Sequence, residues 1–137
     1  MSFENDFVKL TFDKQTLYVK VIAKKDLPAN DTEFDDFLTY FNNFYQACYK
    51  INQKIILFYD LKELGLLKYE QYNKWTELFH KYENITNKCL ICSSIVCDNS
   101  IIANFINGVL LFYNNQKPVK IFTSQDDAIK FINEHLK

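Results

Sequence analysis

The sequence predicts an α/β fold, a single domain with a mixed sheet in which an N-terminal β-hairpin precedes parallel strands joined by crossover helices. Three short segments, IILFYD, CLICSSIVC and VKIF, have the largely continuous apolar character of strands that are buried on both faces. Amphipathic helical patterns separate these segments, and single helices between successive strands favour parallel pairing through right-handed crossovers. The predicted order of elements is therefore β-β-α-β-α-β-α-β-α.

The first two strands are predicted over residues 8–13 and 16–23, which are rich in β-branched and aromatic side chains. The polar pair Lys14 and Gln15 separates the two strands, as in a hairpin. Pro28 ends the second strand, because proline has no N–H to donate to a sheet. We expect this hairpin to form the antiparallel edge of the sheet.

The first helix is predicted to begin at a cap formed by Asp31 or Thr32 and to run to about Tyr49. Apolar residues recur along it at spacings of three and four, which places them on one face. This aromatic face would suit a groove for a lipid or another ligand, but packing in the core is the favoured interpretation. The face comprises Phe34, Phe37, Leu38, Phe41, Phe44, Tyr45 and Cys48.

The second helix is predicted from about Lys68 to Tyr82, with Tyr72, Trp75 and Phe79 on its inward face. Large aromatic rings bury much area per residue, so a few of them contribute strongly to a core. We therefore expect both aromatic helices to cover the sheet.

The last two helices have clear capping candidates. Asp98, Asn99 or Ser100 is predicted to cap the helix after CLICSSIVC, and Ser124 is predicted to cap the last helix. Asp127, three residues after Ser124, is placed to complete a capping box. The polar residues that follow these strands therefore have a structural role before any catalytic one is considered.

The length and net charge of the chain limit the classes of function that it can have. The chain has 137 residues, 48% of them hydrophobic, and a net charge of −1, which suits one folded domain without a strong field. It contains no arginine, the side chain that reads phosphate and guanine with a planar fork. No apolar run reaches the roughly 18 residues of a spanning helix, and the start MSFENDFVKL lacks a signal-peptide pattern. We expect a cytoplasmic protein with no nucleic-acid partner and no membrane insertion.

The four cysteines are Cys48, Cys89, Cys92 and Cys97. Side chains alternate between the two faces of a strand, so Cys89 and Cys92 are predicted to point in opposite directions. That geometry suits neither a disulfide nor a zinc site. We expect all four to be reduced and structural.

Acidic residues follow the predicted strands at Asp60, Asp98 and Asp126, near the rim where ligands of open α/β sheets bind. Several acids at one rim would suit Mg²⁺, but N-capping and solvation are the favoured interpretation. The chain has two glycines, so it has no glycine-rich phosphate loop, and no serine is flanked by glycines. We expect a non-enzymatic protein with no catalytic residue, no cofactor and no metal site.

The segments KIILFYDLKELGLLKYEQYNKW, CLICSSIVCDNSIIANFINGVL and VKIFTSQDDAIKFINEHL follow an N-terminal hairpin in an order that resembles the STAS-like group. This group includes sulfate-transporter and anti-sigma-factor antagonist domains and bacterial lipid-binding-like relatives. The resemblance extends over nearly the whole chain and includes Asp60 with its polar turn, Trp75 and the DDAIKFI run. It implies the α/β fold and a role through protein contacts, with small ligands or nucleotides in some members.

Phosphorylatable antagonists of this group carry a serine or threonine after the central strand, whereas residues 61–67 here contain neither. The resemblance therefore implies a stand-alone relative that is not regulated by phosphorylation at this turn.

The function that the resemblance implies is a regulatory or interaction module with an unknown protein partner. The LGLL cluster within the candidate contact surface is either an exposed anchor or a buried turn, and the buried turn is favoured. The alternative function is a carrier that holds a small apolar ligand between its aromatic helix faces. The candidate contact surface comprises Lys62, Glu63, Leu64, Leu66 and Leu67.

A homo-oligomer would form if the edge of the hairpin paired with a second copy of the chain. Lys9, Lys14 and Lys20 oppose such pairing, because charged side chains protect exposed sheet edges.

Overall fold

A six-stranded mixed sheet organises the protein. The computed structural model describes residues 2–24, 30–64, 67–112 and 117–136, with the backbone alone at positions 109, 111 and 112. In chain order, the elements in these ranges are β1 (Ser2–Glu4), β2 (Val8–Asp13), β3 (Tyr18–Ala23), α1 (Asp31–Lys50), β4 (Ile55–Asp60), α2 (Tyr69–Lys81), α3 (Glu83–Cys89), β5 (Leu90–Val96), α4 (Ser100–Phe112), β6 (Val119–Phe122) and α5 (Gln125–His135).

The strands lie side by side in the order in which they occur along the chain. β1 with β2 and β2 with β3 are antiparallel, and β3, β4, β5 and β6 are parallel. The predicted α/β fold, with a hairpin followed by parallel strands, is confirmed.

The hairpin turn is two residues longer than predicted, because it spans residues 14–17. β2 has the predicted bounds, but β3 begins at Tyr18 rather than at residue 16. Leu17 adopts a positive φ of 68°, a left-handed conformation that does not continue a strand. The Asp13 carboxylate also accepts a hydrogen bond from the Gln15 N–H at 2.9 Å, which closes the turn. Pro28, predicted to end the strand, lies outside the described residues.

The hairpin is not the edge of the sheet. β1, which the sequence analysis did not predict, pairs with β2 in the register Ser2 with Thr11 and Glu4 with Lys9. The short length of β1, three residues, gives no detectable alternation of apolar and polar side chains. The edge that was expected to attract a second copy is therefore covered by this strand.

Helix α1 begins one residue before the predicted caps. The Asn30 side chain accepts a hydrogen bond from the Glu33 N–H at 2.7 Å, and the Glu33 carboxylate accepts one from the Asn30 N–H at 3.3 Å. This is a capping box, so the prediction of Asp31 or Thr32 as the cap is wrong. Asp31 lies instead in the first turn, where a carboxylate favours the positive end of the helix dipole.

The same helix ends where its backbone turns left-handed. Asn52 has a φ of 56°, and its N–H and that of Gln53 bond back to the carbonyls of Tyr49 and Cys48. This pair of bonds is the Schellman arrangement that terminates helices. It directs the chain into β4 after two further residues.

The helices divide between the two faces of the sheet. The first core lies under α1, α2, α3 and α4 and includes Phe41, Phe79 and Ile102. The second core lies under α5, where Ala128 and Ile132 pack on the other face of β4 and β5. Placement of α1 to α4 on one face is what right-handed crossovers produce when strands are added in order.

The second predicted helix corresponds to α2, which ends at Lys81. A seven-residue helix α3, which the sequence analysis did not predict, precedes β5, and its last residue is Cys89, which was predicted to begin the strand. The last helix begins as predicted, because the Ser124 hydroxyl accepts a hydrogen bond from the Asp127 N–H at 3.2 Å. Among the described residues, no helix has both the length and the apolar character needed to cross a membrane.

Candidate ligand pocket

An apolar cavity of about 100 Å³ lies between the sheet and helices α1, α2 and α4. We call it the apolar cavity. Its floor comes from the strands, because alternate residues of β2, β3, β4 and β5 face the first core. The floor residues are Val8, Val21, Ala23, Tyr59 and Ile95.

The walls of the apolar cavity come from three helices and from the segment after β4. Phe34 and Phe37 belong to α1, and Ile106 and Leu110 belong to α4. From α2 come Tyr72, Trp75 and Thr76, and from the segment after β4 come Leu61, Leu64 and Leu67. A smaller cavity of about 70 Å³ adjoins it, since both are lined by Tyr59, Trp75, Thr76, Ile95 and Leu110.

Trp75 joins the helices at the cavity wall. Its ring stacks on Phe37 of α1 with centroids 5.3 Å apart and lies edge-on to Tyr59 of β4 at 5.8 Å. It also contacts Phe41 at 5.0 Å and Phe79 at 5.1 Å. Such offset and edge-to-face contacts stabilise aromatic clusters beyond the area they bury. The wall formed by α1 and α2 is therefore well packed, although the space beside it is unfilled.

Tyr72 contributes its aromatic ring to this apolar lining. The residue is 5% exposed, and its ring lies against Phe105 of α4 with centroids 4.5 Å apart. Its hydroxyl is buried and makes no hydrogen bond of good geometry with the described residues. Burial raises the pKa of the Tyr72 phenol, a hydrogen bond from the Leu67 backbone opposes this rise, and Cys97 adds to it. The phenol is therefore protonated at neutral pH.

The architecture is similar to that of a solved structure. It is the crystal structure of an uncharacterized protein from the DUF3478 family with a SpoIIAA-like fold, from Shewanella loihica PV-4. The TM-score is 0.63, the alignment covers 96% of this chain and 98% of that chain, and 16% of the residues are identical.

This chain has a SpoIIAA-like fold. That is the STAS-like architecture which the sequence resemblance implies, so the expected fold is confirmed. No protein-family model matches the chain, and no curated protein matches it either. At this level of identity the similarity establishes the fold.

The predicted contact surface divides between the inside and the outside of this SpoIIAA-like fold. Lys62 and Glu63 are exposed, whereas Leu64 is 6% exposed and Leu67 is half-buried. Both leucines line the apolar cavity, so the buried-turn interpretation describes them and neither is an exposed anchor. Leu66 lies outside the described residues. The assignment of this surface to a protein partner stays a prediction.

The polar groups at the carboxyl ends of the strands are engaged in local contacts. Asp60 accepts a hydrogen bond from the Lys62 N–H at 3.3 Å and lies 3.8 Å from the Lys62 amine. Asn99 caps α4 by accepting from the N–H groups of Ile101 and Ile102 at 3.0 and 3.2 Å. Within the described ranges, no three His, Cys, Asp or Glu side chains are grouped so that they would hold a metal ion.

All four cysteines are free and buried in the SpoIIAA-like fold. Cys89 belongs to the first core and Cys92 to the second, on opposite faces of the sheet as predicted. Burial raises the pKa of the Cys48 thiol to about 12 and that of Cys92 to about 11. At neutral pH these thiols are protonated and poor nucleophiles.

Proposed function

We propose that this chain is a non-enzymatic module with a STAS-like fold that binds a small apolar ligand in the apolar cavity. The observation that carries the proposal is unfilled space of about 100 Å³ within an apolar lining. Protein interiors are close-packed, and voids larger than a water molecule are few in a domain. Unfilled space of this size is uncommon in a domain of this length, so we infer that a ligand fills it.

The energetics favour an apolar occupant over water. Apolar side chains around an unfilled space lack the contacts that they make in a close-packed core. Water that enters this space finds few polar partners in the described lining, whereas an apolar ligand contacts the lining throughout. An apolar ligand would therefore restore the missing contacts.

The lining also supports a role without catalysis. The described residues around the apolar cavity include no Asp, Glu, His, Lys or Cys. These are the side chains that most often act in general acid–base and nucleophilic catalysis. Asp60, at the end of β4, is held by Lys62 in an ion pair and a turn instead.

Trp75, the one tryptophan of the chain, provides the test because it lines the apolar cavity. A bromine atom quenches the fluorescence of an indole that it contacts, so 1-bromobutane should quench Trp75 in a saturable manner. Ala23→Ile places three additional carbon atoms in the cavity and should weaken this quenching.

Ala47→Ile is the matched control, because Ala47 is exposed on α1 and does not line the cavity. This variant should be quenched like the wild type. Quenching that rises linearly with 1-bromobutane and is the same in all three proteins would contradict the proposal, since it would show collisions in solution alone.

A second candidate function is contact with a protein partner at the rim beside the apolar cavity. Tyr69, at the start of α2, is 66% exposed, and Ile101, at the start of α4, is 71% exposed. β4 and β5 are adjacent and parallel, so the segments that follow them lie at one edge of the sheet. Two large exposed apolar side chains, at the edge of the sheet where Lys62 and Glu63 also lie, suit a small interface with a polar border.

Affinity capture from the source organism would test this second candidate with three proteins. A partner that binds the wild type and Lys130→Glu, on α5, but not a Tyr69→Asp, Ile101→Asp double variant would support the rim as the contact. A partner that binds all three equally would place its contact elsewhere.

A further inference from the structure

We infer that the ligand of the apolar cavity is a small neutral molecule built on a single aromatic ring. The inference rests on the proposed function, because it assumes that the cavity binds a ligand. It adds the aromatic character, the size and the charge of that ligand.

The aromatic character follows from five rings that lie in continuous contact around the cavity. Phe34 contacts Phe7 with ring centroids 6.0 Å apart, and Phe7 lies edge-on to Phe37 at 6.1 Å. Phe37 stacks on Trp75, and Trp75 lies edge-on to Tyr59. All five residues line the apolar cavity, and we call them the aromatic arc.

A further ring beside the aromatic arc would extend this cluster. The arc already contains stacked, tilted and edge-to-face pairs, so it accepts a neighbouring ring in several orientations. Aromatic pairs gain free energy beyond the area that they bury, whereas a saturated ring gains the burial alone. The lining therefore favours an aromatic ligand over an aliphatic one of the same size.

The size follows from the volume. The apolar cavity measures about 100 Å³ and its neighbour about 70 Å³. A cavity of roughly 150 Å³ lined by aliphatic and aromatic side chains holds one benzene, and sites for drug-sized ligands measure about 300–1,000 Å³. One ring therefore fits this space, and a long acyl chain does not.

The neutral charge follows from the residue types in the described lining. No Asp, Glu, Lys or His among the described residues lines the apolar cavity. Transfer of an unpaired charge into such surroundings is far more costly than burial of a neutral ring, which needs no hydrogen bond. The apolar cavity therefore selects a neutral ring over an aromatic carboxylate or amine.

The test compares benzene with cyclopentane, a saturated ring of similar size. Each probe should displace 1-bromobutane and restore the fluorescence of Trp75. Because the two probes differ in how readily they leave water, each affinity is divided by the partition coefficient of the probe between hexane and water. On this scale benzene should bind the wild type about two- to tenfold more tightly than cyclopentane.

Two leucine variants identify the rings that cause this preference. Phe34→Leu removes a ring of the aromatic arc, whereas Phe44→Leu removes a ring from the same helix that is equally buried and does not line the cavity. The ratio of the benzene affinity to the cyclopentane affinity should fall at least twofold in Phe34→Leu and stay unchanged in Phe44→Leu. Transfer of the probes from water is the same in every protein, so it cancels from this comparison.

A second readout needs no variant. Nuclear Overhauser effects from the protons of bound benzene to the rings of Phe34 and Trp75 should appear in the wild type. Benzene that displaced 1-bromobutane without these effects would lie away from the aromatic arc and contradict the inference.

The outcomes separate the two ideas. No normalised preference for benzene, or a ratio that changes equally in the two variants, would overturn the aromatic ligand while the apolar cavity remained a binding site. Decanoate that displaced 1-bromobutane more effectively than benzene would overturn the size and the charge. Failure of benzene, cyclopentane and 1-bromobutane to bind the wild type would overturn the proposed function itself.

Discussion

The hydroxyl oxygens of Tyr45 and Thr86 lie 2.5 Å apart in the interior and join α1 to α3. Tyr45 is fully buried and Thr86 is 3% exposed. The Thr86 hydroxyl also donates to the Tyr82 carbonyl at 3.3 Å, so it accepts the hydrogen bond that the Tyr45 hydroxyl donates. This chain of two hydrogen bonds attaches the short helix α3 to the longest helix of the fold.

We predict that Tyr45 and Thr86 are energetically coupled. Tyr45→Phe and Thr86→Val should each lower the free energy of unfolding by about 1–3 kcal/mol, because each disrupts a buried hydrogen bond. The double variant should lose less than the sum of the two, by about 0.5–3 kcal/mol, since the bond can be lost only once. Urea unfolding of the four proteins measures this. Simple additivity of the two losses would show that the short distance carries no coupling.

The fold could be predicted because IILFYD and CLICSSIVC are nearly continuous apolar segments, and a long amphipathic helical pattern lies between them. It missed β1 and α3, since elements of three and seven residues show too few periods to be recognised. It also chose the wrong cap for α1. Asn30, Asp31 and Thr32 all belong to the capping residue types, and only the backbone decides among them.

The candidate site was harder to predict than the fold. The inward direction of Tyr72 and Trp75 follows from helical spacing, and both were placed correctly. The apolar cavity does not follow, because it depends on the sizes of side chains from seven segments that are distant in sequence. Ala23 on β3 leaves space that nothing opposite fills, and no local pattern around residue 23 reveals this.

We predict that the four thiols are unreactive in the native state. Cys48, Cys89, Cys92 and Cys97 are each at most 3% exposed, and burial raises the pKa of each thiol. Ellman's reagent at pH 8 should therefore release almost no thiolate from folded protein and four equivalents in guanidinium chloride. Rapid reaction of any thiol without denaturant would contradict the predicted burial.

Because of these buried thiols, we predict that the free energy of unfolding decreases at alkaline pH. Unfolded cysteine ionises near pH 8.5, whereas the folded thiols stay protonated to higher pH, for example to about pH 11 at Cys92. Above about pH 8.5 the folded state therefore binds more protons than the unfolded state. The free energy of unfolding falls as the pH rises above this thiol pKa of the unfolded chain. Cys48 and Cys92, whose thiol pKa values are about 12 and about 11, each contribute a slope of about 1.4 kcal/mol per pH unit, and Cys89 and Cys97 add to it in the same direction. Urea unfolding between pH 8 and pH 10 under reducing conditions measures the total.

Cys48→Val is the control for this pH dependence. Cys48 is 3% exposed and its thiol has a pKa of about 12, so valine keeps the packing and removes one titrating group. The alkaline slope of this variant should be smaller than that of the wild type by about 1.4 kcal/mol per pH unit. An unchanged slope would assign the alkaline transition to other groups, such as Tyr18, whose phenol pKa burial also raises.

The last prediction compares two buried alanines on opposite faces of the sheet. Ala23 is 3% exposed and lines the apolar cavity, whereas Ala128 is fully buried on the face of α5 that packs against the sheet. The Ala128 carbonyl also accepts a hydrogen bond from the buried Ser94 hydroxyl at 3.0 Å, which holds α5 close to β5. The first alanine has free space beside it, and the second has closely packed neighbours.

Ala23→Ile should raise the free energy of unfolding by about 1–2 kcal/mol, because the added carbon atoms bury apolar surface in existing space. Ala128→Ile should lower it by about 1–3 kcal/mol, because the same atoms would have to displace α5 from the sheet. Urea unfolding of both variants measures the difference in sign. If Ala23→Ile destabilised the protein as much as Ala128→Ile, the space beside Ala23 would be closed in solution, and ligand binding in the apolar cavity would lose its physical basis.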